Sequence, residues 1–135
     1  MTLYLLDTNI ASAALRGNVN VDSRIGQLDF AQLCISAVTR AELRYGVALR
    51  PAAATLRTLV EAFLKTLTTA PWDAMAADEH GRLRAQLRLR GTPIGDFDEM
   101  IAAHALSLRA TLVTDNVRPF RRVDGLQIEN WLGPA

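Results

Sequence analysis

Three acids, Asp96, Asp98 and Glu99, crowd the head of one apolar helix in "GTPIGDFDEMIAAHAL", residues 91–106. Asp96 followed three residues later by Glu99 fits a D-x-x-E capping box, in which each side chain satisfies a backbone N–H at the helix start. That accounts for two of the three. Asp98 is left over, and on a helix it points with Ile101, Ala102 and Ala105 toward the expected core. A carboxylate aimed inward needs a partner. Glu42 repeats the anomaly: in the helix after Ser36 it shares a stripe with Val38, Tyr45 and Leu49, read as buried, while Arg40 and Arg44 fall on other faces. Its plain alternative is an ion pair with an arginine from another element. Asp7 and Asp115 close the apolar runs "TLYLLD" and "ATLVTD". Each would cap the helix that follows, or meet a ligand at the carboxyl edge of a parallel sheet.

Because the helices of Glu42 and Asp98 start from that same edge, all four carboxylates can converge on one crevice. Two bare charges about 4 Å apart at an effective dielectric of about 20 repel by about 4 kcal/mol. Four together therefore call for protons or a cation. Carboxylates without Cys or His at metal spacing favour Mg²⁺ or Mn²⁺ over Zn²⁺. Such an ion keeps several waters and commonly meets phosphate oxygens, so the chemistry implied is phosphodiester hydrolysis.

The elements that must position these acids can be read from the apolar runs. Strands are expected at 2–6, at "AQLCI" (31–35), at "ATLVT" (110–114) and at "LQIENW" (126–131), with "TLTTAPW" (66–72) a strand or turn. Helices are expected at 8–16, near 22–29, from Ser36 to Pro51, at 52–67, at 73–90, from 96 onward and briefly at 116–120. Strands alternating with helices predict an α/β fold built on a parallel sheet with helices on both faces. At 135 residues the chain is expected to form a single domain spanning 1–135. With 50% hydrophobic and 21% charged residues it reads as globular, and no apolar run approaches the ~20 residues that span a bilayer. No signal-peptide pattern opens the chain, so a cytoplasmic location is expected. The single Cys34 excludes an intramolecular disulfide and reads as core filler.

"LLDTN" (5–9), "ISAVTRAEL" (35–43), the quoted segment extended to residue 108, and "TLVTDNVRPFRRVDGLQIENW" (111–131) together resemble the PIN-domain ribonucleases, and among them the VapC-type toxins of bacterial toxin–antitoxin operons. The resemblance covers nearly the whole chain in family order. It implies a three-layer α/β/α sandwich around a parallel sheet, and an acidic site for Mg²⁺ or Mn²⁺ built from Asp7, Glu42, Asp98 and Asp115. Thr8, Asn9 and Asn116 match supporting positions, with Thr39 beside them. Relatives of this pattern often carry asparagine at the position of Asp115 and a glutamate at that of Pro119. Asp96 stands where they often have a non-acidic residue, which agrees with capping and leaves open a contact to metal-bound water. The resemblance further implies an RNA substrate, a homodimer and an inhibitory antitoxin partner; the apolar helices at 36–67, with more apolar surface than a thin sandwich can bury, are the expected contact region.

Lys65 is the only lysine among 15 basic residues. Arg84 and Arg88, in "RLRAQLRLR", are either a solvated face or, with Arg118, Arg121 and Arg122, contacts for RNA phosphates. His104 is expected to be a packed histidine. Trp72 and Trp131 look structural, and Tyr4, Tyr45 and the phenylalanines are read as mostly core-facing, which leaves no signal for base recognition. A PIN-like binding module without turnover and a housekeeping PIN nuclease of RNA maturation remain the competing readings. A phosphatase with an aspartate nucleophile is disfavoured because Asn9 stands where its second acid belongs.

Overall fold

Alternate residues of the apolar runs go to opposite faces of one sheet, as a pleated strand requires. The computed structural model describes residues 1–133. In chain order these form β1 (Tyr4–Leu6), α1 (Thr8–Leu15), α2 (Val19–Gly26), β2 (Leu33–Ser36), α3 (Ala37–Ala48), α4 (Ala54–Thr66), β3 (Thr68–Ala70), α5 (Ala74–Leu89), α6 (Asp96–Leu108), β4 (Thr111–Val113), α7 (Val117–Phe120) and β5 (Ile128–Glu129). A single 3-10 turn at Phe30–Gln32 leads into β2. Leu5, Cys34 and Leu112 join Leu83, Leu87, Ile101 and Ala105 in one core layer under α5 and α6. Leu6, Ile35 and Val113 join Ile10, Leu43, Val60 and Trp131 in the other. This is the expected three-layer sandwich.

All strand pairs are parallel, in the order β3-β2-β1-β4-β5. The chain begins in the middle of the sheet, builds outward through β2 and β3, then crosses to the other side of β1 for β4 and β5. The reversal falls between β1 and β4, and ligands favour the crevice at such a switch point. Leu6 lies opposite both Ile35 and Val113. Asp7, Ser36 and Thr114 therefore leave the sheet at one level.

Polar caps start most helices. Asp7, Asn18, Ser36 and Asp73 each accept a backbone N–H in the first turn of α1, α2, α3 and α5. Asn18 explains why α2 begins at Val19 instead of near residue 22. The last strand is shorter than expected, because Trp131 leaves the sheet edge and packs beneath Tyr4 with ring centroids 5.3 Å apart. Cys34 is buried and free, as a core filler should be, and burial pushes its thiol up to about 11.

The capping box expected at α6 does not form. Gly95, at φ 108°, is the N-cap, a conformation that side-chain-bearing residues rarely adopt. Asp96 is exposed, and Glu99 lies one position too late for the box. Glu99 instead turns inward, 2% exposed, and accepts the Ile94 N–H through Oε2 at 3.2 Å. Its Oε1 is buried without a partner.

Candidate active site

Asp7 is 4% exposed at the carboxyl end of β1. Its Oδ1 accepts the Ile10 N–H at 2.9 Å, and the buried Thr114 side chain, just past β4, stands beside the carboxylate and favours its ionised form. Desolvation nevertheless lifts its pKa from 3.8 to about 6, with the facing carboxylates of Asp115 and Asp98 adding to the rise. Asp98, in the first turn of α6, is also raised, by desolvation and then by Glu42, against an opposing hydrogen bond from Asn116. Glu42 accepts the Thr8 hydroxyl at 2.6 Å, and Thr8 Oγ1 lies 3.1 Å from the hydroxyl of buried Thr39. Asp115 stays exposed at the rim.

Asp7 and Asp98 thus each feel another acid from a different element. The bland alternative for Glu42, an ion pair with an arginine from another element, does not form: among the described residues Glu42 makes no salt bridge. Among the described residues neither Asp7 nor Asp98 has a cationic partner. A hard cation therefore suits this oxygen-only set. Among the described residues no three Asp, Glu, His or Cys side chains stand close enough to grip one ion together.

Residues 4–126 match the PIN domain family. The chain belongs to that family. A tRNA(fMet)-specific endonuclease VapC from Shigella flexneri is 38% identical over 97% of this chain and 99% of its own length. The tRNA(fMet)-specific endonuclease VapC of Salmonella typhimurium is 36% identical over the same shares. The crystal structure of DNA-bound VapBC from that organism superposes with a TM-score of 0.91, 36% identity, and coverage of 97% of this chain and 99% of that one. VapBC2 from Rickettsia felis, bound to a DNA fragment from its promoter, gives a TM-score of 0.89 at 32% identity, covering 96% and 99%. This PIN domain is accordingly a ribonuclease of the VapC type.

Other expected residues are distributed unevenly around the PIN-domain acids. Asn9 is exposed in the first turn of α1, and Asp96 is exposed at the start of α6. Arg84 and Arg88 share a shallow patch with Gly81 and Ala85 on the outer face of α5, which has no residue in common with the acids. Arg118 and Arg121 are exposed just beyond Asn116.

Two expectations about apolar faces change. The stripe carrying Glu42 is buried only at Val38, for Tyr45 and Leu49 are exposed on α3. Tyr45 is 66% and Phe97 58% exposed, so neither faces the core. Both line a groove of about 810 Å³ with Ala41, Trp72 and Met100, and the groove ends at Thr8 and Glu42. Sequence reasoning also missed Thr114, buried beside Asp7, and Ser36 in any role beyond capping. A hydroxyl residue directly before a strand-end aspartate, as in "VTD", was the available signal for Thr114.

Proposed function

We propose that this PIN-domain ribonuclease is a Mg²⁺- or Mn²⁺-dependent endoribonuclease, the toxin of a toxin–antitoxin pair, with Asp7, Glu42, Asp98 and Asp115 as its acids. One observation carries the reading: Asp7 and Asp98 are desolvated, face other carboxylates and lack a cationic side chain. A protein that leaves such charges uncompensated has a use for an external cation. Asp7 and Asp98 would hold it most directly, with Glu42 and Asp115 reaching it directly or through water. When bound, a divalent ion supplies Lewis acidity for attack of water on a phosphodiester. Thr8 and Thr39 orient Glu42, while Asn116 and Thr114 hold Asp98 and Asp7 in place. No Ser or Cys nucleophile is required.

The RNA phosphates would approach from the rim, where Arg118 and Arg121 are free of carboxylate partners among the described residues. An antitoxin and a second copy of the chain are the expected protein partners. The exposed apolar side chains Tyr45 and Leu49 on α3 and Leu59 on α4 support α3 and α4 as their contact region.

The test is RNA cleavage with Mn²⁺ or with EDTA, run beside Asp98→Asn. Cleavage is expected to need the metal and to fall by roughly 10²-fold or more in the variant, on the scale of removing one group that stabilises developing charge. Undiminished cutting in EDTA, or by the folded variant, would overturn the assignment.

A further inference from the structure

Helices α3 and α6 carry Glu42 and Asp98, and they pack against each other. One further polar contact joins them: His104 Nδ1 on α6 lies 2.7 Å from Ser36 Oγ, the N-cap of α3. Both residues are 0% exposed. Ser36 precedes Glu42 by six residues, and His104 follows Asp98 by six. Since Ser36 meets His104 while Asp98 feels Glu42, the two helices run in opposite directions across their contact. Six residues of α-helix rise about 9 Å. The hydrogen bond and the pair of acids are therefore two rungs of one ladder, and sliding α6 along α3 would break the first rung as it displaced the second.

We propose that the Ser36–His104 hydrogen bond is a positioning clamp that sets the separation of Glu42 and Asp98, with His104 acting through those acids and never touching RNA. The proposal rests on the reading of the acids as a metal-holding site. His104 is held from two sides, by Ser36 and by the Trp72 ring, which meets it edge-on with centroids 5.4 Å apart. Ser36 Oγ already accepts the Val38 N–H at 3.0 Å, so its own proton is free to be donated to Nδ1. In that arrangement Nδ1 accepts and the imidazole proton sits on the buried Nε2. Desolvation lowers the His104 pKa, against weaker opposition from Asp73 and the Pro71 backbone, and so keeps the ring neutral as the clamp needs.

Mn²⁺ affinity by titration calorimetry, thermal unfolding, and kcat and KM for RNA should be compared in the parent, His104→Leu, His104→Asn and Ser36→Ala. The folded His104→Leu variant is expected to bind Mn²⁺ about 10-fold more weakly, as loss of a group supporting metal ligands commonly does. Its kcat should drop with KM unchanged. Asparagine, which can place an amide near the position of Nδ1, should recover most of the affinity. Ser36→Ala should reproduce the loss, and the double variant Ser36→Ala/His104→Leu should lose no more than either single change. Parent-like affinity in His104→Leu, an asparagine variant as weak as leucine, or additive losses would each overturn the clamp. Should the leucine variant fail to fold, parent-like affinity in Ser36→Ala overturns it. A parent that takes up no Mn²⁺ refutes the metal site itself, whereas a metal-binding parent with unaffected variants refutes the clamp alone.

Discussion

Asp7 and Glu129 stand at the carboxyl ends of β1 and β5 in the same parallel sheet, and the chain treats them oppositely. Glu129 receives a hydrogen bond from Arg24 Nη2 and another from Trp131 Nε1, each at 2.9 Å, while the Arg24 guanidinium lies 5.0 Å from the centre of the Trp131 ring. Asp7 receives one backbone N–H, with the Thr114 side chain beside it, and it faces Asp98 and Asp115. The outer corner neutralises its acid with its own side chains. At the switch point an acid that is far more buried is left beside like charges. On the proposed function, the compensated acid at the outer corner serves folding and the uncompensated acid at the switch point is kept for an external cation.

Asp7→Asn tests the contrast where the expected effect is largest. RNA cleavage should fall by roughly 10²- to 10³-fold, the range for removing a preorganised electrostatic contact. The metal-free fold should respond in the other direction. A carboxylate whose folded pKa is raised from 3.8 to about 6 contributes stability that is full below pH 3.8 and is lost as pH rises through about 6. The shift corresponds to at most about 3 kcal/mol. In EDTA the parent should therefore lose stability between those two pH values, and Asp7→Asn, which can still cap α1, should lose less and melt higher at pH 7. Thermal scans of both proteins across that window check this. A variant that melts lower than the parent at pH 7 in EDTA would show that Asp7 is a folding acid after all.

Trp131→Ala tests the other side of the contrast. Trp131 is among the largest fully buried side chains, packed with Leu6, Ile10 and Val113, and its indole N–H donates to Glu129. Truncation should cost about 3–5 kcal/mol, from lost burial and the cavity left behind. Denaturant unfolding measures it. A cost below about 1 kcal/mol would mean that this corner contributes little to holding the sheet edge.

How much of this contrast the sequence could reveal depends on the range of the forces involved. The meeting of Asp7, Glu42, Asp98 and Asp115 at one edge was legible because an acid inside an apolar pattern conflicts with its neighbours in sequence, and strand ends of a parallel sheet share one edge. The sandwich was legible for the same reason, since period-2 and period-3.6 patterns are local. The start of α6 was misread: Asp96 and Glu99 have the spacing of a capping box, but the helix begins after Gly95, whose positive φ sets the frame one residue away. Amphipathic spacing reads Tyr45 and the phenylalanines as mostly core-facing, yet Tyr45 and Phe97 are exposed. Whether a stripe is covered depends on which elements lie across from it, and across α3 there is an open groove. The Ser36–His104 bond joins residues 68 positions apart, and no local pattern announces it.

Glu129→Gln offers the smallest effect and the finest discrimination. Glutamine keeps an oxygen for the Trp131 N–H and removes only the charge facing Arg24. That pair is about one-third exposed on both sides, so water and salt screen it and side-chain entropy offsets part of its attraction. The loss should stay below about 1 kcal/mol and shrink further in high salt. RNA cleavage should be unchanged, since Glu129 belongs to none of the contacts that hold the four acids. A stability loss that persists undiminished in high salt would locate the effect in geometry around Trp131 instead of in charge. Lost cleavage would join the outer corner to the acid site through Thr114, just past β4, whose N–H donates to the Glu129 carbonyl at 2.9 Å while its side chain stands beside Asp7. The separation between folding acids and functional acids would then give way to a single connected network.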